Sequence, residues 1–164
     1  MAHLNAAPAD TNTGVFRCGS CRDHDESEDA GPGLCPLCNP AEQARDHMLR
    51  LLIAEQNDAF RQVLGFAALW RGQHLKGRTV ATPGFLAIPE RTQAALMNAV
   101  INFTDFTEEN DPWEDHSFGR VEAHGVAIYW KIDLYDTDGL MGPEVETDPA
   151  QTIRILTLCL PDEY

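Results

Sequence analysis

Four of the five cysteines fall into two pairs, Cys18-Gly19-Ser20-Cys21 and Cys35-Pro36-Leu37-Cys38, with 13 residues between the pairs. Two residues between thiols let one tight turn aim both sulfurs at a single ion, and two such turns complete a tetrahedron. The spacing therefore predicts a zinc-ribbon-like knuckle in which Cys18, Cys21, Cys35 and Cys38 hold one Zn2+. Four thiolates close the site to substrate, so the metal's role is structural. Disulfides would require an oxidising compartment, and a redox motif would need only one pair. The hydrophilic spacer Asp23–Asp29 argues against an iron–sulfur cluster. Cys159 stands in the apolar run Ile153–Leu160, where a buried, unreactive thiol is expected.

A second group of chemically capable residues lies between Phe103 and Gly119. Glu108, Glu109, Asp111, Glu114, Asp115 and His116 lie within nine consecutive positions, and Asp133 and Asp136 follow on a later segment. Carboxylates with one histidine suit manganese, iron or a second zinc. On that reading Glu109, Asp111, His116 and Asp133 would be the ligands and proton carriers of a small metal-dependent hydrolase or nuclease. The H-x3-H spacing of a strong ligand motif is absent. The expected alternative is a structural connection in which Asn110 and Asp111 bond the backbone before Pro112 while Trp113 fills the core.

Other chemistries find little support. The three serines, Ser20, Ser27 and Ser117, lie outside any G-x-S-x-G elbow. No phosphate-cradling glycine loop is present. Asp136-Thr137-Asp138-Gly139 is similar in outline to a calcium loop, but an EF-hand would need an acid at Leu134 and a glutamate at Val145. Tyr129, Lys131 and Tyr135 share one strand face and could form a small patch. The aromatics are nonetheless not interleaved with bases as a single-strand platform requires.

The 164 residues carry 26 acids against 12 bases, a formal charge of −14. Phosphates would be repelled over most of such a surface, so direct nucleic-acid or anionic-membrane binding is not expected. The charge is uneven: residues 1–40 sum to −4, 41–100 to +2, 101–118 to −6 and 119–164 to −6. No basic start followed by an apolar run suggests a secretory signal, and no apolar stretch is long enough to span a bilayer. A soluble, cytoplasmic protein is expected.

Elements must position these groups. Residues 1–14, polar and rich in alanine and proline, read as a flexible arm, 15–39 as the zinc module and 40–164 as the main domain. Asn39 can cap a helix opened by Pro40 and Glu42, and Leu49, Leu52, Ile53, Phe60, Val63 and Leu64 carry it to about Leu64. Residues 65–77 could extend the helix or form an apolar loop. Arg78–Thr82 reads as a strand ended by Pro83-Gly84. Pro89 opens a second helix with a buried stripe of Leu96, Met97, Val100 and Ile101. Phe118–Ala123, a His124-Gly125 turn and Val126–Tyr135 predict a hairpin, and Ile153–Leu160 a central strand. The fold class is α+β, a mainly antiparallel sheet with one face covered by two helices.

The run Glu109-Asn110-Asp111-Pro112-Trp113-Glu114-Asp115-His116-Ser117-Phe118-Gly119 resembles the bacterial domain of unknown function 3768 family. Trp130–Asp136 and the ending Leu156–Tyr164 carry the resemblance too, as do Asn57–Arg61 and Thr82-Pro83-Gly84. It spans about Gln56 to Tyr164 and implies no activity; the cysteine module looks like an addition. The function expected from the residues is a zinc-stabilised binding or regulatory protein, without catalysis, whose acidic surface engages a basic protein partner.

Overall fold

The computed structural model describes residues 39–164 and, before them, only the backbone of two short strands. The chain divides into two compact units, residues 1–46 and 47–164. In the first, β1 (Phe16–Arg17) pairs antiparallel with β2 (Asp25–Glu26). The residues read as a flexible arm and the four cysteines read as zinc ligands lie outside the described residues.

Helix α1 (Pro40–Arg61) begins as its sequence dictates, with the Ala41 N–H donating to Asn39 Oδ1 at 3.1 Å. Its buried stripe follows helical spacing through Ile53, Gln56, Asn57, Phe60 and Arg61. Three of those five are polar, whereas Leu49 and Val63, expected inside, are 36% and 41% exposed. The segment 65–77, left open between helix and loop, makes turns and a small hairpin, β3 (Leu69–Trp70) with β4 (Gln73–His74). Leu64, Ala67 and Arg71 have φ near +49°, so a continuous helix is impossible there.

A four-stranded sheet forms the centre, in the order β5 (Lys76–Ala81), β8 (Ile153–Cys159), β7 (Val126–Tyr135), β6 (Phe118–Ala123). β6 and β7 are the predicted hairpin, turned at His124 and Gly125 with φ of 52° and 77°. β7 and β8 are also antiparallel, but β5 pairs parallel to β8, so the sheet is mixed. Between β5 and β6 lie the single turn α2 (Pro83–Leu86) and α3 (Glu90–Ile101).

Alternation assigns the sheet's two faces. Ile128, Trp130, Ile132, Leu156 and Leu158 are buried together with Phe60 of α1 and Leu96 and Val100 of α3. Gly119 on β6 is required there, because a Cβ would stand 2.6 Å from the Trp130 indole nitrogen. The opposite face carries Arg78, Ile153, Ile155, Tyr129, Lys131, Asp133 and Tyr135. Cys159 is buried, and burial raises its thiol pKa, as befits an unreactive cysteine. No helix among the described residues is long and apolar enough to cross a membrane.

Candidate functional site

The loop 102–117 lies against α1, and the polar residues in the helix's buried stripe hold it there. Asn57 Nδ2 donates to the Asp115 carbonyl at 2.8 Å. Asp58, one position on, bonds His116 Nδ1 at 2.9 Å with one carboxylate oxygen and Arg61 Nη2 at 2.6 Å with the other. Arg61 is only 1% exposed; it also donates to the carbonyls of Val100 and Ile101, and its guanidinium lies over Trp130 and Phe106. His116 stacks flat on Phe106, with ring centroids 3.6 Å apart and planes 1° from parallel. Arg61 and His116 thus share one carboxylate and one aromatic ring. Burial pushes the Asp58 pKa up, but the bonds from His116 and Arg61 outweigh it, so the carboxyl ionises below its ordinary value.

Asp111 does what the structural reading expected. Its carboxylate accepts the backbone N–H groups of Asp115 and His116 at 3.2 Å, helping His116 hold a φ of 52°. Burial, then the nearby Asp115, raises its pKa. Asn110 closes the preceding turn, accepting from the Thr107 N–H and donating to the Asp105 carbonyl. Trp113 departs from expectation. It is 64% exposed, with the Arg50 guanidinium 5.5 Å from its ring centre, and the core position belongs to Trp130. A tryptophan between Pro112 and Glu114 on a connecting loop has no strand alternation to turn it inward.

Of the four candidate catalytic residues, the structure brings two together. His116 Nε2 is 3.8 Å from Asp111 Oδ2. Glu109 is exposed, while Asp133 projects from the opposite face of the sheet and pairs with Lys131 at 3.0 Å. Among the described residues no group of three or more His, Cys, Asp or Glu is arranged to hold a metal ion. Sequence reading missed Asp58, Arg61 and Asn57, which organise the loop. Their signal was present as polar residues at the helical spacing of Ile53 and Phe60.

Beside His116 a pocket of about 450 Å3 opens. Leu51, Phe106 and Pro112 make its apolar lining, and Glu108, Asp111 and Glu114 bring three carboxylates to it, with no lysine or arginine lining it among the described residues. Glu114 also bonds His47 at 2.9 Å, tying the rim to α1.

Fold and site together define an α+β domain with a mixed four-stranded sheet and an acidic loop clamped to its longest helix. A family model described as protein of unknown function (DUF3768) matches residues 81–163, and the chain belongs to that family. The match includes Asp111, His116, Trp130 and Arg154, while Asn57, Asp58 and Arg61 precede it. Neither the curated proteins nor the solved structures contain a match.

Proposed function

We propose that this is a non-catalytic binding or regulatory protein whose acidic loop receives a basic segment of a partner protein. The observation that carries the reading is the pocket beside His116, where three carboxylates surround an apolar lining with no lysine or arginine among its described residues. A lysine or arginine side chain matches both features, its methylene stem against Leu51 and Phe106 and its charged head toward Glu108 and Glu114. Trp113 offers an exposed aromatic face nearby, and Arg50 already uses that ring as a partner's arginine would. Because α1 fixes the loop, little ordering entropy opposes the encounter. The setting is cytoplasmic, and the four N-terminal cysteines would hold one structural Zn2+ per chain.

The test is titration of the full chain with an arginine-rich peptide. Binding should weaken steeply between about 0.1 M and 1 M salt, as the screening length falls from about 10 Å to about 3 Å. Glu108→Gln with Glu114→Gln should weaken it further at low salt. Affinity indifferent to both changes would overturn the reading. Elemental analysis of the purified protein should return one zinc; none, or iron in its place, would remove the zinc proposal.

One observation favours the second reading, a metal-dependent hydrolase. Asp58 orients His116 through Nδ1 and leaves Nε2 facing Asp111, the arrangement in which a carboxylate steadies a metal-binding or proton-transferring imidazole. Manganese- or magnesium-dependent cleavage of a phosphoester, lost in both Asp111→Ala and His116→Ala, would establish it over the binding reading.

A further inference from the structure

On the sheet face away from the helices, a second cleft of about 500 Å3 lies across β8. Ile153 and Ile155 form its floor, Arg78 of β5 stands on one side, and Tyr135 with the turn 137–139 stands on the other. The register fixes this layout, since Arg78 lies opposite Ile155 and Tyr135 opposite Ile153.

The charges on this part of the face sort into those already engaged and those not. Lys131 pairs with Asp133 at 3.0 Å, and Lys76 donates to the Ala150 carbonyl at 2.6 Å. Asp136 is occupied by its own turn, accepting the Leu140 N–H, and these backbone bonds lower its pKa. That leaves Arg78 and Asp138, neither of which has an ion-pair partner among the described residues. One free cation and one free anion therefore flank an apolar floor, with the Thr137 hydroxyl and the Tyr135 ring beside them.

We propose that this cleft binds a small zwitterion with an apolar body, a free amino acid with a large aliphatic or aromatic side chain. Its carboxylate meets Arg78 and its ammonium meets Asp138, while its side chain lies on Ile153 and Ile155 against Tyr135. A simple anion satisfies Arg78 but faces the Asp138 carboxylate, and a simple cation meets the reverse conflict. Only a ligand carrying both charges satisfies both residues. The volume falls within the range of about 300–1,000 Å3 usual for small-molecule sites. The cleft is distinct from the acidic pocket, so the inference stands or falls separately from the partner-binding reading.

The experiment titrates the full chain with free phenylalanine and free leucine, followed by amide NMR shifts and calorimetry. N-acetylphenylalanine and phenylalaninamide serve as the two single-charge controls. Saturable binding is expected for the free amino acids, with shifts at Ile153, Ile155 and Gly139. Each blocked analogue, and each of Arg78→Gln and Asp138→Asn, should weaken it at least about tenfold. Asp138→Asn should cost N-acetylphenylalanine almost nothing, since that ligand no longer carries the ammonium. Both substituted residues are exposed, so folding is preserved and circular dichroism checks it. No saturable binding of either amino acid, equal binding of the blocked analogues, or unchanged affinity in Arg78→Gln would overturn the proposal.

Discussion

Arg61 and Arg154 are both almost wholly withdrawn from solvent, at 1% and 0% exposure, and both meet polar residues of α1, yet their surroundings differ in kind. Arg61 faces a carboxylate, Asp58, and through it connects to His116, Phe106 and the acidic loop. Arg154 faces two neutral amides, donating to Gln56 Oε1 and to Asn57 Oδ1 at 3.1 Å, and its Nη1 has no hydrogen-bond partner among the described residues. Burial lowers the Arg154 pKa to about 10, which still leaves it charged at neutral pH. The first arginine neutralises a charge and links the site to the core. The second ties β8 to the helix without charge compensation. The difference teaches where coupling to function should appear: at Arg61, not at Arg154.

Removing each arginine with a side chain of similar volume tests that comparison most strongly. Arg61→Met should destabilise by about 3–5 kcal/mol, because it strips Asp58 of its buried counter-charge. Arg154→Met should cost about 1–3 kcal/mol, because only neutral acceptors lose their donor. Chemical denaturation measures both. Adding Gln56→Leu to Arg154→Met should recover part of the loss, whereas Arg61→Met should be relieved only by a second change that removes the stranded charge, Asp58→Asn. Equal costs for the two arginines would break the distinction.

Asp58 sharpens the same contrast through pH. Its folded pKa is depressed below the ordinary 3.8, so its stabilising contribution is full above 3.8 and is lost as pH falls through the folded value. At neutral pH Asp58→Asn should cost about 1–2 kcal/mol, a figure discounted for the carboxylate's partial exposure. The gap between wild type and variant should close below pH 3.8, as read from urea midpoints across the acid range. A gap that persists at acid pH would mean the carboxylate's charge is not what holds the loop.

Much of the architecture was readable because it rests on periodicity. Ile128, Trp130 and Ile132 alternate with polar neighbours, and His124-Gly125 is chemistry that a tight hairpin turn demands. Leu96 and Val100 announced the buried side of α3. What could not be read depends on partners distant in sequence. The parallel pairing of β5 with β8 joins strands separated by more than 70 residues, and no local pattern records it. Arg154 was hidden inside an apolar run that averages its charge away. Gln56, Asn57 and Arg61 look like a solvated helix face until Asp115, Val100 and Arg154 arrive to bond them. The candidate site was half legible for the same reason: Asp111 and His116 are close in sequence, but Asp58 is 58 residues from His116.

Trp113 gives the smallest expected effect on stability and separates a rigid support from a contact surface. Trp130 is fully buried against Arg61 and Phe103, so its removal should cost about 3–5 kcal/mol. Trp113 is 64% exposed, with the Arg50 guanidinium over its ring, so Trp113→Ala should change stability by no more than about 0.5 kcal/mol. If the acidic loop receives a basic segment, the same substitution should weaken an arginine-rich peptide by about 0.5–2 kcal/mol, the worth of a cation over an indole face. An arginine should lose more than a lysine of equal charge, because its planar head stacks on the ring as well. Unfolding and peptide titration of the single variant read both quantities. A large loss of stability would return Trp113 to the core, and unchanged peptide affinity would take the exposed ring out of the binding surface.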